Sequence, residues 1–399
     1  MTGQRPILFG GAALASGFLV LFVSGGSRQA IGLVLKPMAE SFGWERGALG
    51  AAVALFLVVS AVGMFVAGSL ADRFSLRAIL GGGIAFCAVG IGGMSLVAEP
   101  WHALLLYGLI FGIGAGAASV TPVGVMVTRR YPGRAGLANA AAIAGMGLGQ
   151  LAIIAALAVI LAGEGWQPVF LALGALNLVV ALLIFRFLRE GIHLGSAPYL
   201  GADTPFGKVL AQPYFWLLVA VYALCGFQDF FVATHVVAFA LDQGLGALLS
   251  GNLLAFMGLA GLLGVLASGA WSDKRGPIPP AIACFALRAA LFVLILSTRD
   301  PGAVASFALL YGVTFWVTAP LTVVFVRDAF GVRHLGALSG FVTMIHHICG
   351  GLGAWMGAAH FDTDGDYDLT FAIMAVCSLA GILLTALMGR RQALELRKP

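Results

Sequence analysis

Charge is what this chain has least of: 10% of its 399 residues are Asp, Glu, Lys or Arg, against roughly 25% in soluble globular domains. That deficit excludes an ordinary soluble fold. Cysteine is sparse as well. Cys87, Cys225, Cys284, Cys349 and Cys377 sit singly in five apolar segments with no Cys-x-x-Cys pair, so neither a disulfide framework nor a metal site follows. Strand-like alternation is weak, which argues against a membrane barrel. No Ser-His-Asp set, paired catalytic carboxylates or His/Cys zinc cluster is present, so no enzyme is expected. Glycines abound, but no strand precedes their clusters and no phosphate-binding Lys follows them, which excludes a nucleotide fingerprint and a cofactor of that kind. The acidic run Asp362-Thr363-Asp364-Gly365-Asp366-Tyr367-Asp368 has Tyr367 and Ile373 where a calcium loop needs Gly and Glu, so it reads as a solvated loop.

What is there is apolar length. The chain is 60% hydrophobic with mean hydropathy +1.01, and its uncharged runs reach the ~20 residues a helix needs to cross a bilayer. The pattern predicts an all-α polytopic membrane protein with twelve spans. Six are Ile7–Leu35, Ala48–Ala71, Ala78–Ala98, Trp101–Thr128, Gly136–Ala162 and Pro168–Leu188. The other six are Tyr214–Leu241, Leu248–Trp271, Ile278–Ser297, Ala303–Val326, Leu335–Ala359 and Leu369–Met388. Residues 1–188 and 214–399 thus form two six-helix halves, joined by a polar, Gly- and Pro-broken linker at 189–213. The run from Ile7 to Leu35 is too long for a signal-peptide core and reads as the first span.

The net charge of +5 does not point to nucleic acid, because the charges are sorted by side. Of 22 Lys and Arg, 17 fall on one side, three (Lys36, Arg46 and Arg299) on the other, and two (Arg28 and Arg288) inside helices. The positive-inside rule then puts both termini in the cytoplasm of a cell with the protein in its inner membrane. Stripes at Gly112, Gly114 and Gly116 and at Gly145, Gly147 and Gly149 read as helix–helix seams.

A charged turn, Gly68-Ser69-Leu70-Ala71-Asp72-Arg73-Phe74-Ser75-Leu76-Arg77, returns as Gly269-Ala270-Trp271-Ser272-Asp273-Lys274. Shifting the sequence by the 201 positions that separate Asp72 from Asp273 superimposes Gly25 on Gly226, Gly43 on Gly244, Gly50 on Gly251, Gly63 on Gly264 and Gly68 on Gly269. The halves are therefore two copies of one design. The turn closely resembles the signature loop of the major facilitator superfamily of secondary transporters. That resemblance implies two pseudo-symmetric bundles, alternating access and a central cavity lined by helices 1, 4, 7 and 10. It also implies that Gly68, Asp72, Arg73, Arg77, Gly269, Asp273 and Lys274 form conformational locks, Asp72 at the start of helix 11 with Arg73 and Arg77 holding acids. A monomer is expected. Pro122 and Pro320, at matching places in helices 4 and 10, are either bending points or tolerated kinks.

Charges in hydrocarbon are costly, about 2.5–3.5 kcal/mol each at a helix centre, and so mark function or pairing. Three occur: Arg28, Asp229 and Arg288. The repeat shift lays Arg28 on Asp229, so the two either form a gate pair or share a substrate. An Arg fork can grip a carboxylate, and an aspartate can carry a proton. Arg288 either pairs with a neighbouring helix or meets substrate, and His235, His346 and His347 either bond between helices or contact substrate. As neighbours on one helix, His346 and His347 point about 100° apart.

Three passages resemble the bacterial monocarboxylate-porter and oxalate/formate-antiporter-like branch. They are Gly32-Leu33-Val34-Leu35-Lys36-Pro37-Met38 with Phe42-Gly43-Trp44-Glu45-Arg46, then Cys225-Gly226-Phe227 with Thr234-His235-Val236-Val237, and Asp366-Tyr367-Asp368. The resemblance implies transport of small organic anions, carboxylates, coupled to protons or by exchange. The chain departs from the branch in having no basic residue from Leu248 to Trp271. A proton-driven exporter of drugs or metabolites is the alternative.

Overall fold

A computed structural model describes residues 7–44, 46–188 and 205–395. Most of the expected linker, 189–204, lies outside the described residues. Twelve helices among the described residues are long and apolar enough to cross a bilayer, and no strand occurs among them. The first six are α1 (Ile7–Phe42), α2 (Arg46–Ala71), α3 (Leu76–Gly93), α4 (Pro100–Arg130), α5 (Ala135–Glu164) and α6 (Trp166–Phe187). The second six are α7 (Pro213–Asp242), α8 (Ala247–Arg275), α9 (Ile278–Ser297), α10 (Pro301–Phe330), α11 (Leu335–Asp364) and α12 (Asp368–Glu395). A short helix, Phe206–Leu210, precedes α7.

The expected spans were right in number and order, and several were short at their ends. α1 runs on through Lys36-Pro37-Met38 to Phe42, and α11 through Asp362 to Asp364. Hydropathy marks where lipid stops, whereas the backbone keeps its hydrogen bonds into water until a glycine ends the helix. α1, α7 and α11 are followed by Gly43, Gly244 and Gly365, with φ of 66°, 79° and 76°, a left-handed conformation that glycine adopts without steric cost.

The chain forms two compact units. The first holds residues 1–132, 141–200 and 334–341, and the second residues 133–140, 201–333 and 342–399. The unit boundaries follow the two halves except that the first turns of α5 and α11 are exchanged. Within the first unit α3 packs along α6 and α2 along α4; within the second α9 packs along α12 and α8 along α10. The repeat seen in the sequence is thus a repeat of packing.

Its shared glycines explain why. A Cβ on Gly25 would strike the Met146 backbone of α5, and one on Gly226 the His346 backbone of α11. Gly63 lies against Gly116 of α4 and Gly264 against Val313 of α10. Gly68 meets Gly336, and Gly269 meets Gly136. Each is a site where two backbones touch, the arrangement that lets helices associate in lipid without a hydrophobic drive. The stripes behave likewise: Gly112 and Gly116 face α2, Gly114 faces α3, and Gly145 and Gly149 face α1.

Gly226→Ala should therefore cost about 1–3 kcal/mol by overpacking, read as a lower melting temperature of the purified protein. Gly258→Ala, whose Cβ meets nothing within 4 Å, should leave the melting temperature unchanged or raise it. Equal melting of the two variants would contradict the seam.

Candidate functional site

In the first unit the membrane cation is Arg28 on α1. Its guanidinium carbon lies 5.7 Å from the centroid of the Phe56 ring, a cation–π contact. Phe56, Tyr107 and Phe111 form a cluster with centroids 5.1–5.2 Å apart, and the Tyr107 hydroxyl donates to the Arg28 carbonyl at 3.4 Å. Tyr107 and Phe111 belong to a π-helical stretch, Leu104–Phe111, a widened coil that recurs at functional sites. Among the described residues Arg28 makes no ion pair. One turn before it, Ser24 bonds the Ala118 carbonyl at 3.1 Å, and Ser27 accepts from Asn177 of α6 at 2.9 Å. This face of α1 is thus held in place on both sides.

The second unit holds the other two membrane charges, and they hold each other. Arg288 Nη2 lies 2.7 Å from Asp229 Oδ1. Arg288 is wholly buried and Asp229 nearly so. The remaining guanidinium donors are also used. Nε bonds Thr314 Oγ1 at 3.0 Å, Nη2 the Thr314 carbonyl at 3.1 Å, and Nη1 lies 3.4 Å from both Cys225 Sγ and Gln228 Oε1. The Tyr311 ring covers the guanidinium at 4.9 Å. On the acid side, Tyr311 Oη donates to Oδ1 and the Cys225 thiol to Oδ2, each at 3.2 Å. Gln228 Nε2 continues the network to Ser378 Oγ at 2.7 Å and the Met374 carbonyl at 2.9 Å on α12.

One expectation changes here: the counter-ion that Asp229 meets is Arg288. Of the readings of Arg288, pairing with a neighbouring helix is the one seen; it points into its own unit, where a carboxylate, carbonyls, a hydroxyl and a thiol sulfur receive its N–H donors.

Each proline follows an interruption in its helix. α4 breaks between Ala117 and Val120, and α10 between Phe315 and Thr318. Pro122 has no N–H for the Ala118 carbonyl, and Ser24 occupies that carbonyl instead. Around the α10 break, Tyr222 bonds the Thr318 carbonyl at 2.7 Å, Ser268 the Val317 carbonyl at 3.3 Å, and Arg288 that of Thr314. The histidines fall to interhelical or local bonds. His235 meets the Ala354 carbonyl through Nε2 at 2.9 Å and Tyr367 Oη through Nδ1 at 3.2 Å. His346 Nδ1 donates to the Tyr222 carbonyl at 3.1 Å, and His347 Nδ1 to the Thr343 carbonyl at 2.9 Å.

At the charged turns, Asp72 accepts the Gly336 and Ala337 N–H groups at the start of α11, each at 2.9 Å. Asp273 accepts those of Gly136 and Leu137 at the start of α5, at 2.7 and 2.9 Å. Both carboxylates sit at positive helix ends. Asp72 also pairs with Arg129 at 2.9 Å, and Arg129 in turn bonds the Ala71 carbonyl. Burial pushes the Asp72 carboxyl up, against the two N–H groups and Arg129. Arg73 and Arg77 were expected to hold acids, but both are exposed and neither forms an ion pair among the described residues. The buried cation at the turn is Arg129, which reaches it from α4. Gly68 and Gly269 lie in the backbone contacts given above, and Lys274 is exposed.

Sequence reasoning missed Cys225, Gln228, Tyr311, Thr314 and Arg129. The available signal was spacing: Cys225 precedes Asp229 by one helical turn, on the same face.

The model of the Major Facilitator Superfamily matches residues 17–354. An uncharacterized MFS-type transporter of Bacillus subtilis, YcxA, is 25% identical over 88% of this chain and 87% of its own length. Monocarboxylate transporter 11 of mouse is 27% identical over 97% of this chain and 88% of its own length. Among solved structures, the Escherichia coli fucose:proton symporter superposes with a TM-score of 0.74 at 17% identity, covering 96% of this chain and 99% of that one. The matched span, the two six-helix groups and the paired charged turns agree: the chain belongs to the major facilitator superfamily of membrane transporters.

Proposed function

We propose that this transporter carries small monocarboxylate anions, gripped by Arg28, and that it works chiefly by exchange. One observation carries the reading: Asp229 is neutralised by Arg288 inside the second unit, which leaves Arg28, among the described residues, as the membrane charge without an ion pair. An uncompensated guanidinium in a membrane helix is costly, and a carboxylate with two parallel acceptors is the ligand that best relieves it. The monocarboxylate name of the mouse relative supports the same substrate class.

The charge count also bears on coupling. Empty, the three membrane charges sum to one positive; with a bound monoanion they sum to zero. Reorientation moves these groups past a low-dielectric barrier, so the loaded neutral carrier turns over more readily than the charged empty one. Such a carrier swaps one anion for another faster than it delivers net flux. A proton on Asp229, the group first considered as its carrier, would restore a positive charge and is not needed for neutrality. In this reading Asp72 and Asp273 are the locks, Pro122 and Pro320 the bending points of α4 and α10, and both termini face the cytoplasm at the inner membrane.

The test is uptake of labelled monocarboxylates into proteoliposomes with and without the unlabelled anion inside. Preloading should raise uptake about tenfold or more. A proton gradient that drives equal uptake into empty vesicles would contradict exchange, and efflux of lipophilic cations with no carboxylate uptake would favour the exporter. Arg28→Lys keeps charge but loses the planar fork, so substrate affinity should fall about tenfold, the worth of roughly 1.4 kcal/mol. Asp72→Asn should slow exchange several-fold with binding nearly unchanged, measured by equilibrium titration; lost binding in the folded variant would move Asp72 into the substrate site.

A further inference from the structure

One face of α7 and the facing turn of α11 carry a second kind of chemistry, which needs no assumption about the transported substrate. Cys225 and Asp229, one turn apart on α7, and His346 of α11 bring a sulfur, a carboxylate oxygen and an imidazole nitrogen within 4.8 Å of one another. Sequence reading found no metal site because these residues stand on two helices more than a hundred positions apart.

The groups around the three donors are those a bound ion requires. A carbonyl can only accept, so the 3.1 Å contact to the Tyr222 carbonyl places the proton of a neutral His346 ring on Nδ1. Nε2 is then the basic nitrogen. Metal-binding imidazoles are held by this kind of N–H to carbonyl bond, which sets both ring and tautomer. Cys225 Sγ lies 3.4 Å from Arg288 Nη1, a charged donor that bonds a thiolate more strongly than a thiol. The thiol proton points at Asp229 Oδ2, which gives that proton a way out. Cys225 and Asp229 are buried, while His346 keeps partial exposure as a route in.

Charge selects the ion. Asp229 and Arg288 already cancel, so exchanging the thiol proton for a divalent ion would add a positive charge to the buried network, whereas exchanging it for a monovalent ion adds none. A thiolate with an imidazole favours soft metals. We propose that Cys225 and His346 bind a soft monovalent metal ion, copper(I) or silver(I), with Asp229 beside them. The metal–sulfur bond forms as the S–H bond breaks, the proton leaves by way of the Asp229 carboxylate to water, and no electron is transferred. The bound ion ties α7 to α11.

Silver(I) is the probe, titrated into the purified full-length protein in chloride-free buffer against a competing chelator. The chain loses Cys87, Cys284, Cys349 and Cys377 to Ala, so that Cys225 is its one thiol. One equivalent should bind and raise the melting temperature. His346→Ala should weaken binding at least about tenfold, and His346→Met, which supplies a soft thioether, should restore most of it. Undiminished affinity in His346→Ala, or one tight equivalent persisting in Cys225→Ser, would overturn the site. Should the cysteine-depleted chain fail to fold, X-ray absorption at the silver edge of the wild-type protein with one equivalent decides. Scattering from both sulfur and nitrogen neighbours supports the site, and scattering from sulfur alone refutes it.

Discussion

The ion pair between Arg288 and Asp229 is the interaction on which the rest of the second unit depends. Placing either charge alone in a low-dielectric interior costs several kcal/mol after relaxation, and their attraction offsets this only if the remaining donors and lone pairs are filled. They are filled by α7, α9, α10 and α12 together: Cys225 and Gln228, Tyr311 and Thr314, with Gln228 anchored on Ser378. The same guanidinium holds the Thr314 carbonyl one residue before the α10 break. A helix interrupted in hydrocarbon needs such substitutes for its lost bonds. One side chain therefore serves both as counter-ion and as splint.

The two units are repeats in packing but not in electrostatics. Matching glycines meet matching backbones, and Asp72 and Asp273 cap corresponding helix starts. At the position where the repeat lays Arg28 on Asp229, however, the roles part. The acid is enclosed with Arg288, while the cation rests on an aromatic ring. The turns differ too. Arg129 of α4 reaches Asp72, whereas Arg327 of α10 is paired with its neighbour Asp328 at 2.6 Å. The frame is repeated, but the charges within it differ: one acid in a buried ion pair and one cation set against an aromatic ring.

Much of this was legible in the sequence. Twelve spans and their pairing followed from uncharged length and from glycines recurring at one spacing, since close backbone contact in lipid tolerates little else. The cap on α11 was expected from the resemblance of the Asp72 turn to the family's signature loop, whereas the matching cap of Asp273 on α5 was not foreseen. Helix ends were not, since hydropathy is blind to a helix continuing into water. Nor was the partner of Asp229. Three charges allow more than one pairing, and the choice of Arg288 depends on which way α9 turns its faces, set by packing against α12 and α10 rather than by any local pattern. Arg129 escaped notice for the same reason: its place in the chain reads as a helix end, and only folding brings it to Asp72.

The most direct measurement is a double-mutant cycle on the pair itself, with carboxylate binding and thermal unfolding followed in Asp229→Asn, Arg288→Met and the double variant. Removing either partner alone strands a buried charge and should cost about 3–5 kcal/mol, whereas removing both should recover most of that loss. Carboxylate binding at Arg28 should survive in the double variant. Additive losses with no coupling between the two sites, together with abolished binding in the double variant, would contradict the account by showing that Asp229 and Arg288 serve the substrate rather than each other.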